Sequence, residues 1–187
     1  SLTGDERRMI CFLLARAPRD PKGLDRDLAL LRAEVGSRGG RLDILAEGLI
    51  LVTLAKTGSP ADQAARGARC ALAMKVVRAD LPIVLVAGEG VLDGRVPVGR
   101  IIDRGAALLA VADRNGPIRV DEVMSGFLDG RFDVRAERGG FFLLAEKDDA
   151  STARTLLGRP STCVGRNRDL ATLEAIWEEC LDEPVAR

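Results

Sequence analysis

Seven consecutive apolar residues, Met9-Ile10-Cys11-Phe12-Leu13-Leu14-Ala15, constrain this chain more than any other feature. A run this short cannot cross a bilayer, which takes about 20 residues as a helix. A half-exposed element would break the run with polar positions. The stretch therefore predicts a buried central strand.

The segments that follow supply layers for such a strand. Pro18 and Pro21 mark its exit, and Leu24, Leu28, Leu31 and Val35 recur at helical spacing until Gly36 and Gly39-Gly40. Leu42–Ala46 and Leu49–Leu54 read as a hairpin around Glu47-Gly48. Ser59-Pro60 opens the next helix with a cap residue and Pro at the first helical position. That helix is rich in alanine (Ala61, Ala64, Ala65, Ala68, Ala71), which suits close packing on a sheet, and it ends near Arg78. Ile83–Ala87 reads as a buried strand, with Val91-Leu92 pairing back after a turn at Gly88-Glu89-Gly90. A helix from about Arg100 to Asp113, strand Ile118–Val120, a short helix from Asp121, and strands Phe132–Arg135 and Phe141–Ala145 complete the series. The order predicts an α+β fold, a ferredoxin-like, mostly antiparallel sheet with helices packed on one face.

Composition narrows the function. Lys+Arg and Asp+Glu are both 28, and aromatics are 3% with no Tyr. A neutral chain poor in stacking rings lacks the footprint of a nucleic-acid binder or a membrane-surface protein. Histidine is absent, which excludes His-based acid–base chemistry, Ser-His and Cys-His pairs and His-ligated metals. Cys11, Cys70, Cys163 and Cys180 show no CxxC spacing, and Cys11 and Cys70 read as small core hydrophobes. With no signal peptide and no apolar stretch near 18 residues, the expected location is cytoplasmic. The chain reads as a segment of a longer polypeptide, with Ser1-Leu2 as a cloning remnant.

Lys147-Asp148-Asp149-Ala150-Ser151-Thr152 is a polar stretch, followed by Leu156–Val164, which looks extended. Asn167 is placed to cap a helix striped by Leu170, Leu173, Ile176, Trp177 and Cys180. The expected organisation is a main domain over 1–146, a linker over 147–162 and a further segment over 163–187.

Arg7-Arg8 before the strand Met9–Ala15, the helix ending at Gly39-Gly40, the hairpin Leu45–Leu54 and the helix ending Ala71-Leu72-Ala73-Met74 resemble, in this order, the class III adenylyl/guanylyl cyclase catalytic domain. Gly88-Glu89 and Val98-Gly99-Arg100-Ile101-Ile102-Asp103-Arg104-Gly105-Ala106-Ala107-Leu108 resemble its catalytic-helix region, and the likeness spans roughly Arg7 to Glu146. The resemblance implies the nucleotide cyclase fold. In active members two Asp residues hold two divalent ions, one making the nucleophile and the other taking up developing charge.

The resemblance also locates departures. The first metal-binding Asp falls on Ala15 and the second on Gly48. Glu47 stands beside the latter, and neighbours on an extended chain point to opposite faces unless a tight turn rotates them. The purine-reading Lys falls on Ile44 and its Asp near Gly94, with Asp93 adjacent; the ribose-orienting Asn falls on Asp103. The Arg that stabilises the transition state falls on Ala107, leaving Arg104, one turn earlier, as the nearby cation. Such an arginine is worth roughly 10³–10⁵ in rate. The expectation is a cyclase homology domain without cyclase activity, and hence no catalytic, cofactor-binding or metal-ligating residues.

Cys163-Val164-Gly165-Arg166-Asn167-Arg168-Asp169-Leu170-Ala171-Thr172-Leu173 resembles the opening segment of AAA-type signalling ATPases, although the chain contains no GxxxxGK[ST]. Large bacterial signalling proteins join the two kinds of domain, some after an N-terminal Ser/Thr kinase. The expected partners are other domains of the same polypeptide and a second copy of the chain. Two alternatives remain open at this point. One is a small-ligand sensor using a pocket lined by Ile44, Gly48 and Gly94; the other is residual cyclase activity in a heterodimer. Arg131, Arg135 and Arg138 form a candidate basic edge, and Asp25-Arg26-Asp27 and Glu178-Glu179 read as solvated helix faces.

Overall fold

The computed structural model describes residues 8–17, 24–54, 58–93, 96–98, 100–128, 130–137, 139–147, 155–156, 159–160 and 167–182. The chain divides into two compact units, Ser1–Asp148 and Asp149–Arg187.

In the first unit the apolar run becomes β1 (Arg8–Arg16), followed by α1 (Leu24–Ser37), β2 (Gly40–Ile44) and β3 (Leu49–Leu54). Then come α2 (Pro60–Val77), β4 (Ile83–Asp93), β5 (Val96–Val98), α3 (Arg100–Ala110) and β6 (Ile118–Val120). Helix α4 (Glu122–Leu128) and strands β7 (Phe132–Glu137) and β8 (Gly140–Glu146) close the unit. The sheet order is β2-β3-β1-β4-β6-β8-β7, with β5 pairing the end of β4. Every neighbour pair is antiparallel except β4 and β6, which run parallel through Val84–Arg119 and Leu85–Val120. This is the expected α+β class.

Strand β1 is central and covered on both sides. Alternation sends Cys11, Leu13 and Ala15 into a core with α1, α2 and α4. Ile10, Phe12 and Leu14 enter a second core with Ile101 and Leu109 of α3. The expectation of helices on one face is thereby corrected, because α3 lies on the opposite face. Its seat is made by glycine: a Cβ at Gly105 would lie 3.1 Å from Leu14 and 3.2 Å from Phe12. The strand Leu49–Leu54 is likewise buried on both sides, Ile50 and Val52 facing α1 and α2 while Leu51 faces α3.

A second correction concerns Gly88-Glu89-Gly90, which is not a turn. Strand β4 runs straight through it to Asp93, and the returning strand is Val96–Val98 rather than Val91-Leu92. The glycines serve close approach, since a Cβ at Gly90 would lie 3.0 Å from Ile101 of α3.

Helix α2 starts as its sequence dictates. Ser59 caps it, its hydroxyl accepting from the Asp62 N–H (3.2 Å) while the Asp62 carboxylate accepts from the Ser59 N–H (3.1 Å). Asp27 of α1 pairs with Arg78 at the far end of α2, so this part of the Asp25–Asp27 trio ties two helices together instead of facing solvent. Phe141 packs on the α1–α2–α4 core, whereas Phe142, pointing the other way, lies under the Arg119 guanidinium, 5.0 Å from its ring centre.

In the second unit β9 (Thr155–Leu156) pairs antiparallel with β10 (Arg159–Pro160), and α5 spans Asn167–Asp182. Leu173, Ile176 and Trp177 are exposed on α5. No helix among the described residues is long and apolar enough to cross a membrane.

Candidate functional site

The end of β1 and the β2–β3 turn meet. Ala15 pairs with Ile50, Arg16 with Leu49, and the Ala17 N–H donates to the Gly48 carbonyl at 2.9 Å. The chain thus brings together Ala15 and Gly48, the positions that the sequence resemblance assigns to metal-binding acids. Neither carries a side-chain donor. Ala15 is fully buried among the α1–α2 core residues. Glu47 occupies a single 3₁₀ turn (Ala46–Gly48) with φ 59° and ψ 23°, a left-handed conformation, and is exposed. The tight turn is therefore real, and it presents the Glu47 side chain to solvent. Among the described residues no group of three or more Cys, Asp and Glu is placed to hold a metal ion. A pair of divalent ions does not fit these residues.

Register separates the remaining positions. Ile44 pairs with Ile50 and so shares the α1–α2 side of the sheet, where it is exposed at the edge strand. On the α3 side the corresponding β2 residue is Asp43, opposite Leu51, and Arg41 holds its carboxylate at 2.9 and 3.0 Å. The sequence reading did not single out Asp43; the alternation of β2 against the buried Leu42 was the signal available. Asp93 closes β4, and its side chain, like Gly94, lies outside the described residues.

On α3, Asp103 and Ala107 are exposed. Arg104 is already engaged. Its Nη2 donates to the Ala87 carbonyl at 2.5 Å and lies 2.6 Å from Oδ2 of Asp121. Asp121, read from sequence only as the start of a short helix, is a buried acid whose Oδ1 accepts from the Met124 N–H at 2.9 Å and the Ala87 N–H at 3.3 Å. Burial pushes its carboxyl above the usual range, opposed by the Met124 N–H and by Arg104. The sequence signal was an Asp at a helix N-cap; the contact with Arg104 depends on tertiary placement and was not readable.

Elsewhere the candidate cations are also committed. Arg131 donates to the Ala61 carbonyl at 3.1 Å and lies 3.9 Å from Asp62; Arg135 pairs with Asp133 at 3.1 Å. Arg138 lies outside the described residues. Cys11 and Cys70 are buried free thiols. Burial raises both, Cys70 to about 11 and Cys11 further, so they are inert packing groups. Cys163 and the side chain of Cys180 lie outside the described residues.

No protein-family model matches this chain, and no curated protein matches its sequence. Solved structures do. The monomeric guanylyl cyclase domain of the RhoGC fusion protein from the aquatic fungus Blastocladiella emersonii superposes with a TM-score of 0.67 at 14% identity, over 78% of this chain and 100% of that one. The adenylyl cyclase CyaB from P. aeruginosa gives 0.62 at 13% identity, over 77% and 97%. The adenylate/guanylate cyclase/hydrolase from Silicibacter pomeroyi gives 0.56 at 18% identity, over 70% and 85%. At these identities the likeness establishes the architecture: the first unit has the nucleotide cyclase fold.

Proposed function

We propose that the first unit is a regulatory or interaction domain that keeps the nucleotide cyclase fold without cyclase activity, within a larger cytoplasmic signalling protein. One observation carries this reading. Where β1 meets the β2–β3 turn, the positions that would hold metal ions are the buried methyl of Ala15 and the bare backbone of Gly48. The state of Arg104 supports it, because a guanidinium already bound to Asp121 and Ala87 is not free to neutralise a phosphoryl group.

The test is direct. The full chain is incubated with ATP or GTP and Mg²⁺ or Mn²⁺, and cyclic nucleotide is measured by chromatography. No product above the protein-free control is expected; turnover that scales with protein concentration overturns the proposal.

The organisation proposed with it is a cyclase-like domain over 1–146, a linker over 147–162, and over 163–187 the opening segment and first helix of an AAA-type ATPase domain. In this reading the parent protein couples an upstream module, a Ser/Thr kinase in some such proteins, to ATPase output. Its partners are the neighbouring domains and a second copy of the chain, the latter checked by light scattering over a concentration series.

A further inference from the structure

The Arg104–Asp121 pair does more than occupy a cation. Strand β6 accompanies β4 only as far as Leu85 and Val120. Beyond that point Asp121 continues the ladder with its own atoms. Its N–H donates to the Leu85 carbonyl at 3.3 Å, and Oδ1 takes the N–H groups of Ala87 and Met124. Its Oδ2, buried and without a hydrogen bond among the described residues, lies 2.6 Å from the Arg104 guanidinium. Arg104 stands on α3 and Asp121 caps α4, so the pair joins the two faces of the sheet around the free side of β4.

The two ends of the pair are unequal. The Asp121 side chain is 5% exposed and that of Arg104 is 44% exposed. The guanidinium borders water; the carboxylate does not. An ionised carboxylate left alone in that position is strongly unfavourable, whereas a neutral one keeps its N–H donors and loses little. The charge on Asp121 therefore adds an electrostatic hold to the bond that Arg104 makes to the Ala87 carbonyl.

Other groups leave that charge in control. On β1, Cys11 lies within the field of Asp121, but burial keeps its thiol protonated. Arg66 of α2 acts on Cys11. Glu89 of β4, Glu122 of α4, and Asp103 and Arg100 of α3 are all exposed. Gly88 offers a steric handle, since a Cβ there would sit 2.8 Å from Nη2 of Arg104.

We propose that Arg104 and Asp121 form a charge-operated latch: ionised Asp121 holds α3 down on β4, and neutral Asp121 releases the guanidinium and loosens α3. The device is independent of whether the domain turns over nucleotide.

Hydrogen exchange of the full chain tests it, read as protection factors for 100–110 against those of α1 and α2. Asp121→Asn keeps the helix cap and removes the charge; Gly88→Ala displaces the guanidinium and keeps both charges. At about pH 7.5 each is expected to lower α3 protection by roughly tenfold or more, with α1 and α2 unchanged. In the wild type, α3 protection falls toward the Asp121→Asn level as pH is lowered, with a midpoint above the ordinary aspartate value of about 3.9, while Asp121→Asn itself stays flat. Unchanged α3 protection in both variants, an equal loss in all three helices, or identical pH profiles for wild type and Asp121→Asn would overturn the latch.

Discussion

Placing an acid at the end of β1 distinguishes a packed core from an unused metal cradle. In Ala15→Asp three heavy atoms and a charge enter a position of 0% exposure, between Ile50 on β3 and Ile83 on β4. Overpacking of this kind costs about 1–3 kcal/mol. The carboxylate also loses its water, and a fully buried acid rises by as much as 3–5 units, each worth about 1.4 kcal/mol. A rise of about 3 units makes the electrostatic part roughly 4 kcal/mol near pH 7.5 and the total about 5–7 kcal/mol. That is a large share of the 5–15 kcal/mol typical of a domain.

The sign follows from linkage. A raised folded pKa means that the folded state binds more protons than the unfolded one between about pH 4 and the raised value, so stability falls as pH rises through that window. Urea unfolding followed by circular dichroism at about pH 4.5 and about pH 7.5, with and without Mn²⁺, measures both parts. The expected result is a deficit that shrinks at the lower pH and ignores the metal. A variant within about 1 kcal/mol of wild type at about pH 7.5, or one stabilised by Mn²⁺ when wild type is not, would refute the reasoning. Ala15 would then face a cradle, and the inactive-cyclase reading would fall with it.

Other consequences follow from the packing. Ser59→Ala removes the cap of α2 and is expected to cost about 1 kcal/mol, roughly 2–5 °C in a thermal melt; an unchanged Tm contradicts the capping role. Gly67→Ala gains about 1 kcal/mol of helix propensity, yet its methyl would lie 2.9 Å from Leu85 and 3.1 Å from Cys11. Overpacking of about 1–3 kcal/mol offsets that gain and leaves a net loss of up to about 2 kcal/mol, and a rise in the urea midpoint would show that α2 has room to lift. Glu146 is held below its ordinary pKa by a forked pair with Arg69 at 2.5 and 2.9 Å. Its contribution is present above the ordinary glutamate pKa and is lost as pH falls through the lowered one. Because the groups are 38% and 43% exposed, Glu146→Gln is expected to cost less than about 1 kcal/mol near pH 7.5, a difference that closes in acid; a gap that widens in acid would reverse the assignment.

What could be read in advance follows from which forces are local. The β1 run, the Ser59-Pro60-x-Asp62 start of α2 and the spacing of Leu28, Leu31 and Val35 each announce their structure, because capping, dihedral preference and burial pattern agree there. Gly88 and Gly90 misled because glycine marks both turns and close approaches, and only the seating of α3 on β4 distinguishes the two. The side on which α3 packs was also hidden, since nothing within Arg100–Ala110 names the sheet face it meets. At the candidate site, Ala15, Gly48 and Ala107, the positions to which the resemblance assigns the site groups, were visible as residue types. The Asp121 contact was not, as it joins residues 17 apart in sequence through a fold that had first to exist.

The shortness of the β4–β6 ladder has a mechanical consequence. Within the sheet, a pull between the first strand and the last travels from β1 to β4, across to β6, and on to β8. The first and last of those junctions are antiparallel ladders of eight and three residue pairs, whereas the middle one is parallel and has two. Tension therefore concentrates on that short middle junction. Helices α2 and α4 pack across it, α4 on β4 and α2 on both β1 and β8, so the helical layer reinforces the sheet where its own ladder is shortest.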